Sequence, residues 1–434
     1  MPVKRARRQE ILDAAATVIA SSGYVGTSLK DIADACGIQA GSLYHHFVSK
    51  EAIAVELVAR FTAEMEQVAD AALQSTAAEG AAPPRARIIA FCTAIAECAF
   101  AHRAALQLTS YEPPTGASTE FVDLVRSRPA SVMAVMTAIL RDASDGGVLN
   151  SDVDAELFAT ELCEMTRHVG LGIFYRGANA REVAAVLCHL VLDGGPTRPV
   201  EDRQLDRSAA RRAADAAIRA WAARDEVNPE DRTTALLAVA RTEFARRGYE
   251  ATTVRDIAAA ARMRSGNVYR FIESKDAMLA SIMSSYHTRL SDGYRAVIAS
   301  DSTAVELLDA LTWLNINILK SFPEEFAIQR AWMRAIPPAA SDLSVHQRER
   351  AGQIRQIVAE GLRRGELRSG WPGCGEPSVD VLAMCYRDLV WPSALVQLAG
   401  AERALEHCRS TLVRGAATVS QSRRAASAGG ARRP

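Results

Sequence analysis

Two sets of hydroxyl, acidic, phenolic and basic residues recur in this chain in one fixed order. The first is Thr27, Ser28, Asp31, Tyr44, Ser49 and Lys50, and the second is Thr252, Thr253, Asp256, Tyr269, Ser274 and Lys275. Each member of the second follows its counterpart by 225 positions (252 minus 27; 275 minus 50), with no gap between. Chance similarity between two ordinary helices seldom keeps register over such a span. Ser28-x-x-Asp31 and Thr253-x-x-Asp256 are capping-box patterns, each starting a helix whose first amides are exposed and positive. That end suits a phosphate. At that end the chemistry implied is phosphate binding rather than bond making.

Short helices must position these groups. After the helix opened by Ser28, Cys36-Gly37 supplies a turn in which glycine can take the left-handed conformation, and a recognition helix is expected from about Gln39 to His46. Leu43 and Phe47, four apart, anchor it inward, leaving Gln39, Ala40, Ser42 and Tyr44 outward, with Lys50 behind a Ser49 cap. The second copy has Arg262 where the turn glycine belongs and Phe271-Ile272 where the first has His46-Phe47. A non-glycine residue at positive φ costs on the order of 1 kcal/mol, which marks the second head as the degenerate one.

The pattern strongly resembles the TetR family of bacterial regulators, whose signature runs Thr-x-x-x-Ile-Ala through Leu-Tyr-x-His-Phe to Ser-Lys. Residues 8–55 and 232–280 carry it. The resemblance implies phosphate contacts from Thr27, Tyr44, His45 and Lys50 and from Thr252, Tyr269, Arg270 and Lys275. The cap residues Ser28 and Thr253 belong with them. Base contacts would fall to Lys30, Gln39, Ala40 and Ser42, and to Arg255, Arg264, Ser265 and Asn267. The arm Lys4-Arg5-Ala6-Arg7-Arg8 is either a solvated tail or a minor-groove arm.

Composition neither adds to nor opposes this reading. Over 434 residues the charges cancel to a formal net of zero, with 24% charged and 49% hydrophobic residues, an ordinary soluble globular balance. Locally the heads are modestly basic: residues 1–50 hold six Lys/Arg against four acids, and residues 229–275 hold nine against six. The basic and then apolar N-terminus is interrupted by Asp13, and its helix pattern recurs internally at Leu236, Leu237, Ala240 and Phe244, so it reads as a first helix rather than a signal peptide. No run of about eighteen apolar residues appears, and a cytoplasmic protein without membrane partner is expected. The eight cysteines form no CxxC pair and read as reduced, mostly buried thiols. Cys163 with His168, and Cys188 with His189, complete neither a metal ligand set nor a catalytic triad. No metal, no cofactor and no enzymatic activity are expected.

The duplication reaches beyond the heads. Pro113-Pro114 answers to Pro337-Pro338, and Gly147-Val148-Leu149 to Gly365-Glu366-Leu367. Helical periodicity dominates throughout. The expected fold is all-α, with two tandem units, each a three-helix DNA-binding domain followed by a helical-bundle effector and pairing domain. The boundaries read as 1–50 and 51–195 for unit one, 196–228 for a linker containing a helix near Ser208–Arg224, 229–275 and 276–420 for unit two, and 421–434 for a disordered tail. The resemblance implies a small-molecule pocket in each bundle. Candidate lining residues are Phe91, Phe100, Tyr111 and Tyr175, and Trp313, Phe322 and Trp332; few charges interrupt these segments, which leans toward a hydrophobic effector.

The reading is a sequence-specific regulator of a double-stranded DNA operator, a repressor released by its ligand. Apolar stripes at Leu157, Phe158, Leu162, Met165 and Val169 and at Val379, Leu382, Tyr386 and Val390 lie where the family pairs its subunits. The two units are therefore expected to pair within one chain on an asymmetric operator. Two alternatives remain: an architectural DNA-bridging protein without effector, and a homodimer with four heads.

Overall fold

In the computed structural model, residues 2–77, 80–110, 117–126, 130–173, 179–224, 231–249, 251–335, 342–372 and 374–418 are described. Among them the chain is helical, with no strand longer than an isolated bridge. Unit one comprises α1 (Pro2–Gly26), α2 (Leu29–Ala35), α3 (Ala40–Leu43), α4 (Lys50–Ala77), α5 (Pro84–Ala101), α6 (Arg103–Ser110), α7 (Thr119–Arg126), α8 (Ala130–Asp145), α9 (Ala155–Ile173) and α10 (Ala180–Asp193). Then come α11 (Asp202–Arg207) and α12 (Ala209–Arg224). Unit two comprises α13 (Arg232–Arg247), α14 (Val254–Ala260), α15 (Ser265–Val268), α16 (Lys275–Ile298), α17 (Ala304–Ser321), α18 (Pro323–Ala335), α19 (Asp342–Arg363), α20 (Val379–Leu389), α21 (Ser393–Ala399) and α22 (Ala401–Cys408), which runs into one π turn at Arg409–Val413. The Pro113-Pro114 and Pro337-Pro338 pairs and the tail from 421 lie outside the described residues.

The segment expected as a linker is not a loose tether. Ala210, Ala214 and Trp221 form one buried face of α12, and that face packs on α16 and α17. Trp221 stacks edge-on against Phe322 at 5.8 Å, while Asp215 accepts the indole N–H of Trp313 at 2.8 Å. The Ala- and Arg-rich composition that suggests a connector also gives a helix with a narrow small-residue stripe, which can approach its neighbours closely. The connector thus belongs to the core of unit two.

Helices α9 and α10 of unit one meet α20, α21 and the π turn of unit two. Leu157 sits in a cluster with Ile316, Leu395, Leu405 and Cys408. At the centre the two chains of backbone cross, and the bonds come in matched pairs. The Gly195 N–H donates to the Leu412 carbonyl at 2.8 Å, and the Ala416 N–H to Val191 at 2.8 Å. The Thr197 N–H donates to Glu366 at 2.9 Å and the Thr418 N–H to Val148 at 2.8 Å; Arg368 donates to Gly195 at 2.9 Å and Asn150 to Ala416 at 2.8 Å. The hydroxyls follow suit, Thr197 to the Gly365 carbonyl at 2.5 Å and Thr418 to Gly147 at 2.7 Å. Each bond is the image of its mate under one exchange of units, which is the signature of an isologous, two-fold contact. At the crossing, Gly194 and Gly415 have φ of 76° and 84°. A Cβ on Gly194 would lie 2.9 Å from the Val413 carbonyl oxygen, and one on Gly415 2.6 Å from the Asp193 carbonyl carbon.

Polar groups also cross. His407 Nε2 lies 3.1 Å from Glu161 Oε2, both buried, and Arg403 pairs with Asp154. No single helix among the described residues is long and apolar enough to cross a membrane.

Candidate nucleic-acid interface

Both heads are built by local rules. The Ser28 hydroxyl accepts from the Asp31 amide at 3.1 Å, and the Asp31 carboxylate accepts from the Ser28 amide at 2.7 Å. Thr253 and Asp256 repeat this at 3.1 and 2.9 Å. These bonds to hydroxyl and amide, with Ser28 and Thr253 the leading partners, hold both carboxyls below the usual carboxylate range. Gly37 takes φ 65°, and Arg262 takes φ 54°, the one non-glycine residue at positive φ among those described. The departure read from the sequence is therefore real strain: the second head keeps the turn and bears its cost.

The recognition helix is shorter than expected, Ala40–Leu43 rather than Gln39 to His46, with Gln39 at its N-cap. Its counterpart is Ser265–Val268, with Arg264 at the N-cap position. Leu43 and Phe47 are buried, as is Val268, whereas Phe271 and Ile272 are only half-buried, so the second helix is anchored less deeply. Outward stand Lys30, Gln39, Ser42, Tyr44 and His45 in head one and Arg255, Arg264, Asn267, Tyr269 and Arg270 in head two, with Ala40 and Ser265 half-buried. Tyr44 and Tyr269 are equally exposed, 56% each, and carry unburied rings where a packed protein would hide them.

Four expected phosphate contacts are placed otherwise. Thr27 and Thr252 are buried, their hydroxyls donating to the carbonyls of Gly23 and Gly248 at 2.7 and 2.8 Å. They fasten the end of the first helix instead of reaching outward. The Lys50 ammonium donates to the carbonyls of Tyr24 and Thr27, both at 2.7 Å, and lies 4.4 Å from the Tyr24 ring centroid. Lys275 donates to Tyr249 at 3.0 Å over the Tyr249 ring at 4.3 Å. Both lysines bind the helix C-terminal carbonyls, where a cation is favoured, and present a fixed charge rather than a flexible arm. Arg8, in the basic arm, is also spoken for: it lies 4.0 Å over Phe47 and pairs with Glu56.

The ligand candidates divide similarly. Phe91 and Phe322 are buried core, Phe100 is half-buried, and Trp313 is tied to α12. Tyr111, Tyr175 and the side chain of Trp332 lie outside the described residues. No nucleophile and base pair comes together at the cysteines considered. His168 Nδ1 faces the Glu164 carbonyl at 2.7 Å and His189 faces Asp193 at 3.1 Å, while burial pushes the Cys163 thiol up to about 12. Sequence reasoning missed one donor cluster, Glu64, Cys98 and His102, with donor atoms within 4.8 Å of one another. His102 and Glu64 pair at 2.6 Å, and burial pushes the Cys98 thiol up to about 12, so both polar members are already satisfied and the thiolate is disfavoured.

A capped helix joined by a left-handed turn to a short second helix, with exposed tyrosines and cations on one side, defines a helix-turn-helix DNA-binding protein. Residues 11–57 and 236–282 each match the family of bacterial regulatory proteins, tetR family. The HTH-type transcriptional repressor KstR2 of Rhodococcus jostii is 30% identical over 171 residues, 38% of this chain and 80% of the relative. KstR2 of Mycolicibacterium smegmatis is 31% identical over 167 residues, 38% of this chain and 78% of that one. The solved structure of the ketosteroid transcriptional regulator KstR2 of Mycobacterium tuberculosis aligns at 24% identity over 46% of this chain and 95% of its own, with a TM-score of 0.35. The chain belongs to the TetR family and carries its DNA-binding domain twice.

Proposed function

We propose that this chain is a repressor that reads a single asymmetric operator with both heads as an internal pseudo-dimer, and that a small molecule entering the helical bundle releases it. The observation that carries this reading is the set of matched backbone bonds between the units, Gly195 to Leu412 with Ala416 to Val191 and their companions. A surface used in that way inside one chain is closed to a second chain. Paired heads would then meet successive major-groove faces about 34–36 Å apart.

Lys30, Gln39, Ala40 and Ser42 in one half, and Arg255, Arg264, Ser265 and Asn267 in the other, offer different donors to the bases, so the two half-sites differ. Tyr44, His45, Tyr269 and Arg270 serve the phosphates. Light scattering on one short operator tests the stoichiometry. One chain per duplex is expected; two chains with four heads would sink the pseudo-dimer. Binding-site selection that returned a perfect palindrome would overturn the asymmetric operator. A full panel of ligands that left DNA affinity unchanged would favour the architectural reading.

A further inference from the structure

The two bundles are not equivalent inside. The heads align at an offset of 225 (248 minus 23), which carries α16 onto α4 and sets Tyr286 against Phe61 and Tyr294 against Ala69. The glycines ending α8 and α19, Gly147 and Gly365, both at φ 67°, align at 218 (365 minus 147). That offset sets Arg350 against Val132 and Gln353 against Val135. Phe61, Ala69, Val132 and Val135 are buried and apolar. Their counterparts in unit two are polar. The fold therefore does not need polar groups at these places.

Tyr294 is satisfied by Asn315, at 3.1 Å; the others are not. Tyr286, His287 and Arg350 are 1%, 2% and 9% exposed. The Tyr286 hydroxyl, both ring nitrogens of His287, Nη1 of Arg350 and Oε1 of Gln353 are buried with no hydrogen-bond partner among the described residues. Arg350 forms no ion pair among the described residues. Glu325, the acid whose charge is felt at Tyr286, is held by Arg241 at 3.1 Å. Arg350 acts on Tyr286, His287 and Tyr294 together, so one cation faces two hydroxyls and one imidazole ring. Burial, then the Arg350 charge, pushes His287 down to about 3, which leaves a neutral ring able to donate from one nitrogen. Phe322 at 6.1 Å from Tyr286 adds an apolar wall. Glu349, the acid whose charge is felt at Arg350, is exposed and lies 3.9 Å from His346, so it does not pair with the buried guanidinium. Burying a cation without an ion-pair partner is costly, and an anion that fits beside it removes that cost.

Resting on the ligand-released reading above, we infer that unit two alone is the sensing unit, and that its effector is an amphipathic small acid whose carboxylate is taken by Arg350, Tyr286 and His287 between α16 and α19. The hydrophobic effector expected from the sequence describes the body of this ligand; the head is anionic. His287 lies 12 residues along α16 from Lys275 (287 minus 275), about 18 Å of continuous helix from the second head. α18 reaches the same head through Arg241 on α13, paired with Glu324 at 2.7 Å and Glu325 at 3.1 Å. A ligand drawing α16 toward α19 therefore acts on head two first.

The full chain is titrated with straight-chain alkanoates from butanoate to dodecanoate, each beside its neutral amide, and read by thermal unfolding and by Trp fluorescence. At least one alkanoate should raise Tm by about 2–4 °C with its amide at least tenfold weaker. Without ligand, Arg350→Met should raise Tm by a similar amount and abolish the alkanoate response. Tyr286→Phe, which restores the residue type of unit one, should weaken that response severalfold and leave the fold intact. A fall in Tm for ligand-free R350M, or no preference for any acid over its amide, overturns the inference; the second result would mean that water or chloride fills the site. DNA binding without ligand is measured alongside. Carboxylate binding that leaves the DNA complex intact would keep the site and refute only the release mechanism.

Discussion

Gly194→Ala should loosen the contact between the units. Gly194 has φ 76° and ψ 152°, a region open in practice only to glycine, where another residue costs about 1–3 kcal/mol. Its new Cβ would lie 2.9 Å from the Val413 carbonyl oxygen and 3.2 Å from the Gly415 nitrogen, both backbone atoms. Forcing such a contact apart costs about 1–3 kcal/mol more. The sum, about 2–6 kcal/mol, corresponds to a fall in Tm on the order of 5–15 °C in a unit of this size. Differential scanning calorimetry measures it, with light scattering to detect chains that exchange partners once the crossing opens. Gly37→Ala is the control, since Gly37 has φ 65° but nothing within 4 Å of its Cβ; only strain of about 1 kcal/mol should appear, confined to head one. Gly415→Ala should match Gly194→Ala, and the double variant should cost less than their sum because both methyls displace the same crossing. A Gly194→Ala protein melting within about 1 °C of the parent would refute the reasoning.

Arg262→Gly should stabilise head two by up to about 1 kcal/mol, seen as slower amide exchange in α14 and α15; faster exchange would show that the φ of 54° is not a strained one. Lys50→Ala should cost a few degrees of Tm by stripping the Tyr24 and Thr27 carbonyls of their donor and, by removing a fixed charge beside the interface, weaken binding to specific and random DNA alike, with the salt slope lowered by less than the one unit of a direct phosphate contact. An altered operator preference with the slope unchanged would contradict that role. Thiol alkylation at pH 8 should reach Cys36 and Cys374 first, because both are only half-buried. Cys98 and Cys163, pushed up to about 12 by burial, hold little thiolate below that pH; early labelling of either would mean that the bundle opens.

The heads were legible because their signals are short-range. A capping box needs four residues, a left-handed turn needs one glycine or a tolerated arginine, and both form at Ser28–Asp31 and Arg262. The direction of Thr27 and Lys50 was not legible, since a family signature transfers a position and not the carbonyl a side chain will find. The apolar stripes on α9 and α20 announced a packed face. The crossing itself could not be read, because backbone bonds at Leu149, Pro196, Leu367 and Ala417 leave no mark on side-chain type. The role of α12 was hidden for another reason: alanines at 210 and 214 suit a solvated connector as well as a tight helix contact. The cluster around Arg350 was within reach, since Tyr286, Tyr294 and Arg350 interrupt stripes that are apolar in the first copy.

In two identical subunits related by a dyad, every substitution is made twice. A buried arginine would be buried in both bundles, a strained turn would strain both heads, and the penalties would be counted in pairs. The exchange of units that matches Gly195 to Leu412 with Ala416 to Val191 keeps that geometry while uncoupling the two genes' worth of sequence that create it. Selection can then test a change in one half against an unaltered other half. Arg350 opposite Val132, and Arg262 opposite Gly37, are substitutions of that kind, each borne once.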